Sequence, residues 1–206
     1  MSLRNRFQTT RLWLCWLCLA IAAIVHHGNA LGQKAETLKY EYRVLATKKT
    51  STQQKEMNEA ADAGFRFSGV MGGETAIGGS EVVVVMSREV GAEPRGRYEY
   101  KLLATGKTST MQKEMQEAAD GGFEYRGQTV FSSTFGGREV VCILERDRSE
   151  EPMPYEYKLL ATSKTSTMQK ELLEAGEVGF GFVGMTVAGT AVGGNELVVI
   201  VRRPKQ

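Results

Sequence analysis

The stretch Tyr155–Phe180, YEYKLLATSKTSTMQKELLEAGEVGF, is written three times in this chain. Tyr98–Phe123 reads YEYKLLATGKTSTMQKEMQEAADGGF and Tyr40–Phe65 reads YEYRVLATKKTSTQQKEMNEAADAGF. The distance from the first tyrosine to a later double glycine (Gly78-Gly79, Gly136-Gly137, Gly193-Gly194) is the same in every copy. Self-similarity at a fixed period means a repeat architecture, so the repeat is read before anything else.

Each copy opens on an alternation. Tyr98, Tyr100, Leu102 and Ala104 interleave with Glu99, Lys101, Leu103 and Thr105, the period of a strand with one buried face. A helix is expected next. Ser51, Ser109 and Ser166 stand where an N-cap belongs, and Gln54, Gln112 and Gln169 follow three residues later, the spacing of a capping box. Met111, Met115, Ala118 and Ala119 give it one apolar stripe. Gly64, Gly122 and Gly179 sit where a left-handed residue ends a helix. Such a helix of about three turns is unstable alone and must dock on a sheet. Strand two starts at Phe65, Phe123 or Phe180. The double glycine then turns the chain into a third, aliphatic strand: EVVVVM (Glu81–Met86), EVVCIL (Glu139–Leu144) or ELVVIV (Glu196–Val201).

The fold class is therefore α+β: three tandem βαββ repeats at 40–89, 98–148 and 155–204. The prolines Pro94, Pro152 and Pro154 fall in the linkers and Pro204 in the tail, as ladder hydrogen bonding requires. The helical crossover makes strands one and two parallel. The most apolar strand belongs in the middle, so the order is 1-3-2, mainly antiparallel. One face of strand three is covered by the unit's own helix, and the other requires a neighbouring unit. Pseudo-threefold closure around a shared core, helices outside, is the expected arrangement; separate beads on proline linkers are the alternative.

The N-terminus differs from the rest. Arg4, Arg6 and Arg11 precede the apolar run Leu12–Val25, and Gly28-Asn29-Ala30 follows. This is the pattern of a secretory signal peptide over 1–30, with 31–39 a polar spacer, and the run is shorter than the ~20 residues of a spanning helix. An uncleaved anchor is the alternative. Export to the periplasm or medium is the implied localisation. Without residues 1–30 the chain keeps 23 Lys+Arg against 24 Asp+Glu, no histidine, no tryptophan and one cysteine, Cys142. That inventory argues against nucleic acid as a partner, against a metal or other cofactor, and against nucleophilic triads. Cys142, inside an aliphatic strand, reads as a core thiol.

The pattern Tyr-Glu-Tyr-Lys-Leu-Leu, a short helix ending in Gly-Phe, and an aliphatic strand closing on Arg202-Arg203 resembles a small bacterial family of βαββ domains of unknown function. The resemblance covers Tyr40 to the C-terminus in three copies, with phenylalanine where that family usually carries tryptophan. It implies the fold and a bacterial origin, and brings no catalytic residues.

Candidate sites are few. Lys49 with Ser51, Lys107 with Ser109 and Lys164 with Ser166 precede or open helices, whose free N–H groups can hold a small anion; plain capping is the competing reading. Gly106-Lys107-Thr108 lacks the earlier glycine of a phosphate-binding loop, since Lys101 stands there. The hairpin tips with Ile77, Phe135 and Val192 are either contact surfaces or packed turns. Glu81, Glu139 and Glu196 are expected to pair with Arg43, Lys101 and Lys158. No residue is assigned a catalytic role. The expected function is a non-enzymatic exported binding or structural module for a protein partner or a small anion; the alternative is an enzyme with Lys, Glu and Tyr in an inter-repeat cleft.

Overall fold

The computed structural model describes residues 37–75, 79–92, 96–132, 138–189 and 194–205. The expected leader and the tips at Ile77, Phe135 and Val192 lie outside these residues. Leu38–Gln206 forms a compact unit by itself.

Unit 1 contains β1 (Tyr40–Thr47), α1 (Thr50–Asp62), β2 (Arg66–Thr75) and β3 (Gly79–Glu89). Unit 2 contains β4 (Tyr98–Thr105), α2 (Thr108–Asp120), β5 (Glu124–Ser132) and β6 (Arg138–Asp147). Unit 3 contains β7 (Tyr155–Thr162), α3 (Thr165–Glu177), β8 (Gly181–Gly189) and β9 (Asn195–Pro204). The sheets run β1-β3-β2, β4-β6-β5 and β7-β9-β8, every pair antiparallel. The aliphatic strand is central in each, as its two apolar faces demand. Pro204 belongs to the edge of the pattern: it closes β9 opposite Tyr155.

The helix ends are made as the glycines require. Gly64, Gly122 and Gly179 have φ of 89°, 83° and 86°. Phe65 N–H donates to Ala60 O and Gly64 N–H to Ala61 O, with the same two bonds at Phe123/Gly122 and Phe180/Gly179, which is the Schellman closure. An arginine clamps each closure. Arg88 donates to Glu41 (2.7 Å) and to the Ala63 carbonyl (2.9 Å), and its guanidinium lies 4.8 Å from the Phe65 ring centre. Arg146 and Arg203 repeat this with Glu99, Gly121 O and Phe123, and with Glu156, Val178 O and Phe180. A cation is placed against carbonyls left over at a helix C-terminus. The Glu-Arg-Phe clamp accounts for one conserved-looking feature of the three copies, the glutamate between the two tyrosines.

The helix starts differ from expectation. The N-caps are Lys49, Lys107 and Lys164, in extended conformation and without a side-chain cap bond. The hydroxyls of Thr47, Thr105 and Thr162 accept the lysine N–H groups (3.1–3.3 Å) and fix that extended residue. Ser51, Ser109 and Ser166 are thereby moved inside the first helical turn, and no capping box forms. The expected pairing of Glu81, Glu139 and Glu196 with Arg43, Lys101 and Lys158 is excluded by register. Those basic residues stand opposite Met86, Leu144 and Val201, five positions, roughly 16 Å, from the glutamates.

The units do not close around one core. α1 lies between its own sheet and β4 of the next unit, and α2 likewise meets β7, while β2 touches β5 and β5 touches β8. α1 and α2 are each a wedge between two sheets that converge along their second strands, and α3 packs on its own sheet. Three cores result. Met57, Ala60, Val84 and Met86 of unit 1 pack with Tyr100, Val141 and Ile143 from the reverse face of unit 2. Met111, Met115, Cys142 and Leu144 pack with Tyr157, Val198 and Ile200 of unit 3. Met168, Ala175, Val199 and Val201 form the last core within unit 3. The arrangement is an open row, not a triangle, because the end faces stay exposed: Tyr42 is 65% accessible where Tyr100 and Tyr157 are 1% and 2%. The reverse faces of sheets two and three are covered by the preceding unit, as their hydrophobicity implies.

Candidate functional site

Among the described residues, the buried charge and the hydrogen-bonded tyrosine hydroxyls lie at the two joints between units. β4 and β7 are edge strands, with a row of backbone groups turned away from their own sheets. The preceding helix satisfies that row. At the first joint Gln54 Oε1 accepts Leu102 N–H (2.9 Å), Asn58 Oδ1 accepts Tyr100 N–H (2.9 Å), and Asn58 Nδ2 donates to Tyr100 O (3.0 Å). At the second, Gln112 Oε1 accepts Leu159 N–H (2.7 Å) and its Nε2 donates to Tyr157 O (2.8 Å). Gln116 Oε1 accepts Tyr157 N–H (3.0 Å) and its Nε2 donates to Tyr155 O (3.1 Å). Leaving a covered N–H unpaired costs about 1–3 kcal/mol, more than a helix cap of about 1 kcal/mol contributes. Gln54 and Gln112 accordingly serve the neighbouring strand and not their own helix starts.

Each joint also buries a tyrosine hydroxyl. Tyr100 OH donates to Glu145 Oε2 (2.7 Å) and accepts Phe67 N–H (2.8 Å). Tyr157 OH accepts Tyr125 N–H (2.9 Å) and a bond from Arg202 (3.3 Å). Burial, with the Glu145 charge beside it, pushes the Tyr100 hydroxyl well above the usual phenol range. Burial does the same to Tyr125.

Around these hydroxyls the charges are exchanged between joints. At the first, Arg66 of unit 1 donates to Glu145 of unit 2 through Nε (3.1 Å) and Nη2 (2.8 Å), and Arg126 adds a third donor (2.9 Å). Glu145 is 1% accessible, and the two arginines and the tyrosine supply donors to its carboxylate oxygens. At the second joint, Arg202 of unit 3 faces Glu124 of unit 2 (3.3 Å). Arg66 and Glu124 are the same position of the repeat, as are Glu145 and Arg202. Acid and base have traded sides.

The joints close on ring-into-glycine contacts. A Cβ on Gly127 would stand 3.1 Å from the Phe67 ring, and one on Gly184 would collide with Tyr125. Both glycines follow a bulge shared by all second strands, between Phe67 and Gly69, Tyr125 and Gly127, and Phe182 and Gly184.

The candidate anion-site residues are not gathered together. Lys49, Ser51, Lys107, Ser109, Lys164 and Ser166 are exposed, each pair at the start of its own helix. No group of three or more His, Cys, Asp and Glu with metal-site geometry occurs among the described residues. Cys142 is fully buried, and burial pushes its thiol up to about 12, which suits a core thiol. A shallow depression beside Glu41, Gly64 and Arg88 holds charges already spent on the first clamp. None of the described helices is long and apolar enough to cross a membrane.

Asn58, Gln116, Arg66, Glu124 and Glu145 were not singled out from the sequence, and Arg202 entered only as part of a strand-ending motif. One signal was present: aligning the three copies shows Arg, Glu, Gly at one position and Ser, Glu, Arg at the other. No protein-family model matches the chain, and comparison with curated proteins and with solved structures finds no match.

Proposed function

We propose that the chain is a non-enzymatic, exported binding or structural module that acts through the two ends of its row of units. The observation that carries this is the use made of its reactive side chains. Tyr100, Glu145 and Arg66 converge as a catalytic cluster would, yet the Tyr100 hydroxyl and the Glu145 carboxylate are sealed in a joint, and Arg66, half-exposed at its rim, is engaged with Glu145. They hold units in order. Exposed apolar side chains instead cluster at the ends, Tyr40, Tyr42 and Val44 on the first unit and Leu173, Phe182 and Met185 on the last, with Val90 and Met153 exposed in the linkers. Exposed apolar clusters of this kind mark contact surfaces.

Complementation of a strain lacking the gene tests the proposal. Tyr42→Lys and Leu173→Lys are expected to fold and to lose function, whereas Tyr100→Phe acts only as far as it lowers stability. Loss of function in a stable Tyr100→Phe chain with unaffected end variants would overturn it in favour of a joint-centred enzyme. Export with removal of 1–30 is tested by the intact mass of the exported protein; a mass that includes Met1 refutes it.

A further inference from the structure

The two joints obey one rule. A helix offers amides to the edge of the next unit's first strand, and a second-strand ring enters the notch at the next unit's glycine. Residues that would make a third joint of the same kind are present, one half at each end of the row.

On the last unit, Gln169 is the counterpart of Gln54 and Gln112, and it is exposed. Phe182, the counterpart of Phe67 and Tyr125, is 57% accessible. Met185, the counterpart of Val70, is exposed beside it; Val70 helps to fill the Gly127 notch. On the first unit, Tyr42 and Val44 stand where Tyr100 and Leu102 receive amides. Gly69 is the counterpart of Gly127 and Gly184, and nothing lies within 4 Å of the place its Cβ would take. Its φ is not left-handed, so nothing within unit 1 requires a glycine there. What requires it in units 2 and 3 is the ring of the preceding unit.

The charge positions are compatible. Where the inner joints set Arg66 against Glu145 and Glu124 against Arg202, the ends set Gly181 against Ser87, with no repulsion and no unpaired buried charge. One element departs from the rule: Leu173 replaces the second amide, and at 61% accessibility it presents an apolar side chain toward the strand position occupied by Tyr40 and Tyr42.

We infer that the end surfaces bind each other between copies: α3 and β8 of one chain dock on β1 and β2 of the next, in the geometry of the two inner joints. Phe182 fills the Gly69 notch, Phe182 N–H meets the Tyr42 hydroxyl, and Gln169 meets the β1 edge. The contact is heterologous, so it builds a ring or an open filament and not a two-fold dimer. It deepens the module reading by naming the partner, and rests on it.

Sedimentation velocity of the full chain over a concentration series tests the inference. The wild-type chain is expected to form species larger than a dimer. Tyr42→Lys blocks one end and Phe182→Glu the other; each alone is expected to stay at 22.7 kDa, with association weakened at least about tenfold. An equimolar mixture of the two keeps one good pair of ends and gives a dimer only. A wild-type chain that stays monomeric overturns the inference, as does association unaffected by either variant, or a mixture that fails to dimerise. Cross-links from residues 1–37 to the Tyr42 face in a monomeric chain would assign that face to the chain's own N-terminal segment. If the chain is monomeric while Tyr42→Lys still abolishes complementation, the module reading stands and the second copy is discarded. If the enzyme outcome appears in complementation, both fall.

Discussion

Gln53→Met is expected to stabilise the protein. Gln53 is fully buried in the first core, and neither its Oε1 nor its Nε2 has a hydrogen-bond partner. Its counterparts are Met111 and Met168, both in the cores of their own units. The two side chains have the same length and nearly the same volume, so the exchange removes two unsatisfied polar atoms without opening a cavity. Each such atom costs about 1–3 kcal/mol, and part of that is recovered in any structure that relaxes. A net gain of about 2 kcal/mol is therefore expected. With an m-value of about 2 kcal/mol/M this moves the urea midpoint up by about 1 M. In a row of coupled units the gain belongs first to the unit that carries it, so amide exchange across Val82–Met86 should slow while that of Leu197–Val201 changes little. Met111→Gln is the control, expected to lower stability by a similar amount. An unchanged or lowered midpoint for Gln53→Met, with Met111→Gln destabilising, would refute the reasoning.

Four further outcomes are expected. Glu145→Gln removes the charge that Arg66 and Arg126 share at the first joint; a loss of about 3–5 kcal/mol and separation of unit 1 unfolding from the rest should appear in calorimetry. Gly184→Ala drives a methyl into Tyr125 and should cost about 1–3 kcal/mol in urea unfolding, whereas Gly69→Ala, with open space around it, should leave the monomer's stability nearly unchanged and weaken only association. Arg97, through its hydrogen bond, holds the Asp147 carboxyl down at about 2. The folded state thus favours the charged form: the stabilisation is present at neutral pH and is lost as pH falls from about 4, the unfolded value, through about 2. The midpoint difference between wild type and Asp147→Asn should vanish over that range. Cys142, buried with its thiol raised to about 12, should react with a thiol reagent only at the rate of unfolding.

Much of each unit was legible because local rules set it. Alternation at Tyr98–Thr105, the stripe through Met111 and Met115, and the glycines at 64, 122 and 179 each required a particular backbone, and the structure has it. The 1-3-2 order followed from one fact, that the aliphatic strand has two apolar faces. The capping box failed for a reason no local rule contains. Gln54 and Gln112 had a better partner in a strand more than 40 residues away. The alternation marks one face of each first strand for burial, which holds for Tyr100 and Tyr157 but not for Tyr42, since burial of Tyr100 and Tyr157 depends on a preceding helix that β1 lacks among the described residues.

What the sequence determined by itself is the unit: its strands, its helix, the Schellman stop and the central position of the third strand. These follow from hydrophobic period and backbone sterics, which act over a few residues. Only the tertiary structure decided how units meet. A closed triangle would bury the reverse face of the first sheet, which the open row leaves partly exposed, yet Val83 and Val85 on that face are as aliphatic as Val141 and Ile143, so hydrophobic pattern alone does not separate the two. The choice was made by directional contacts, amides on a strand edge, a ring at a glycine, and an ion pair whose sign reverses from one joint to the next.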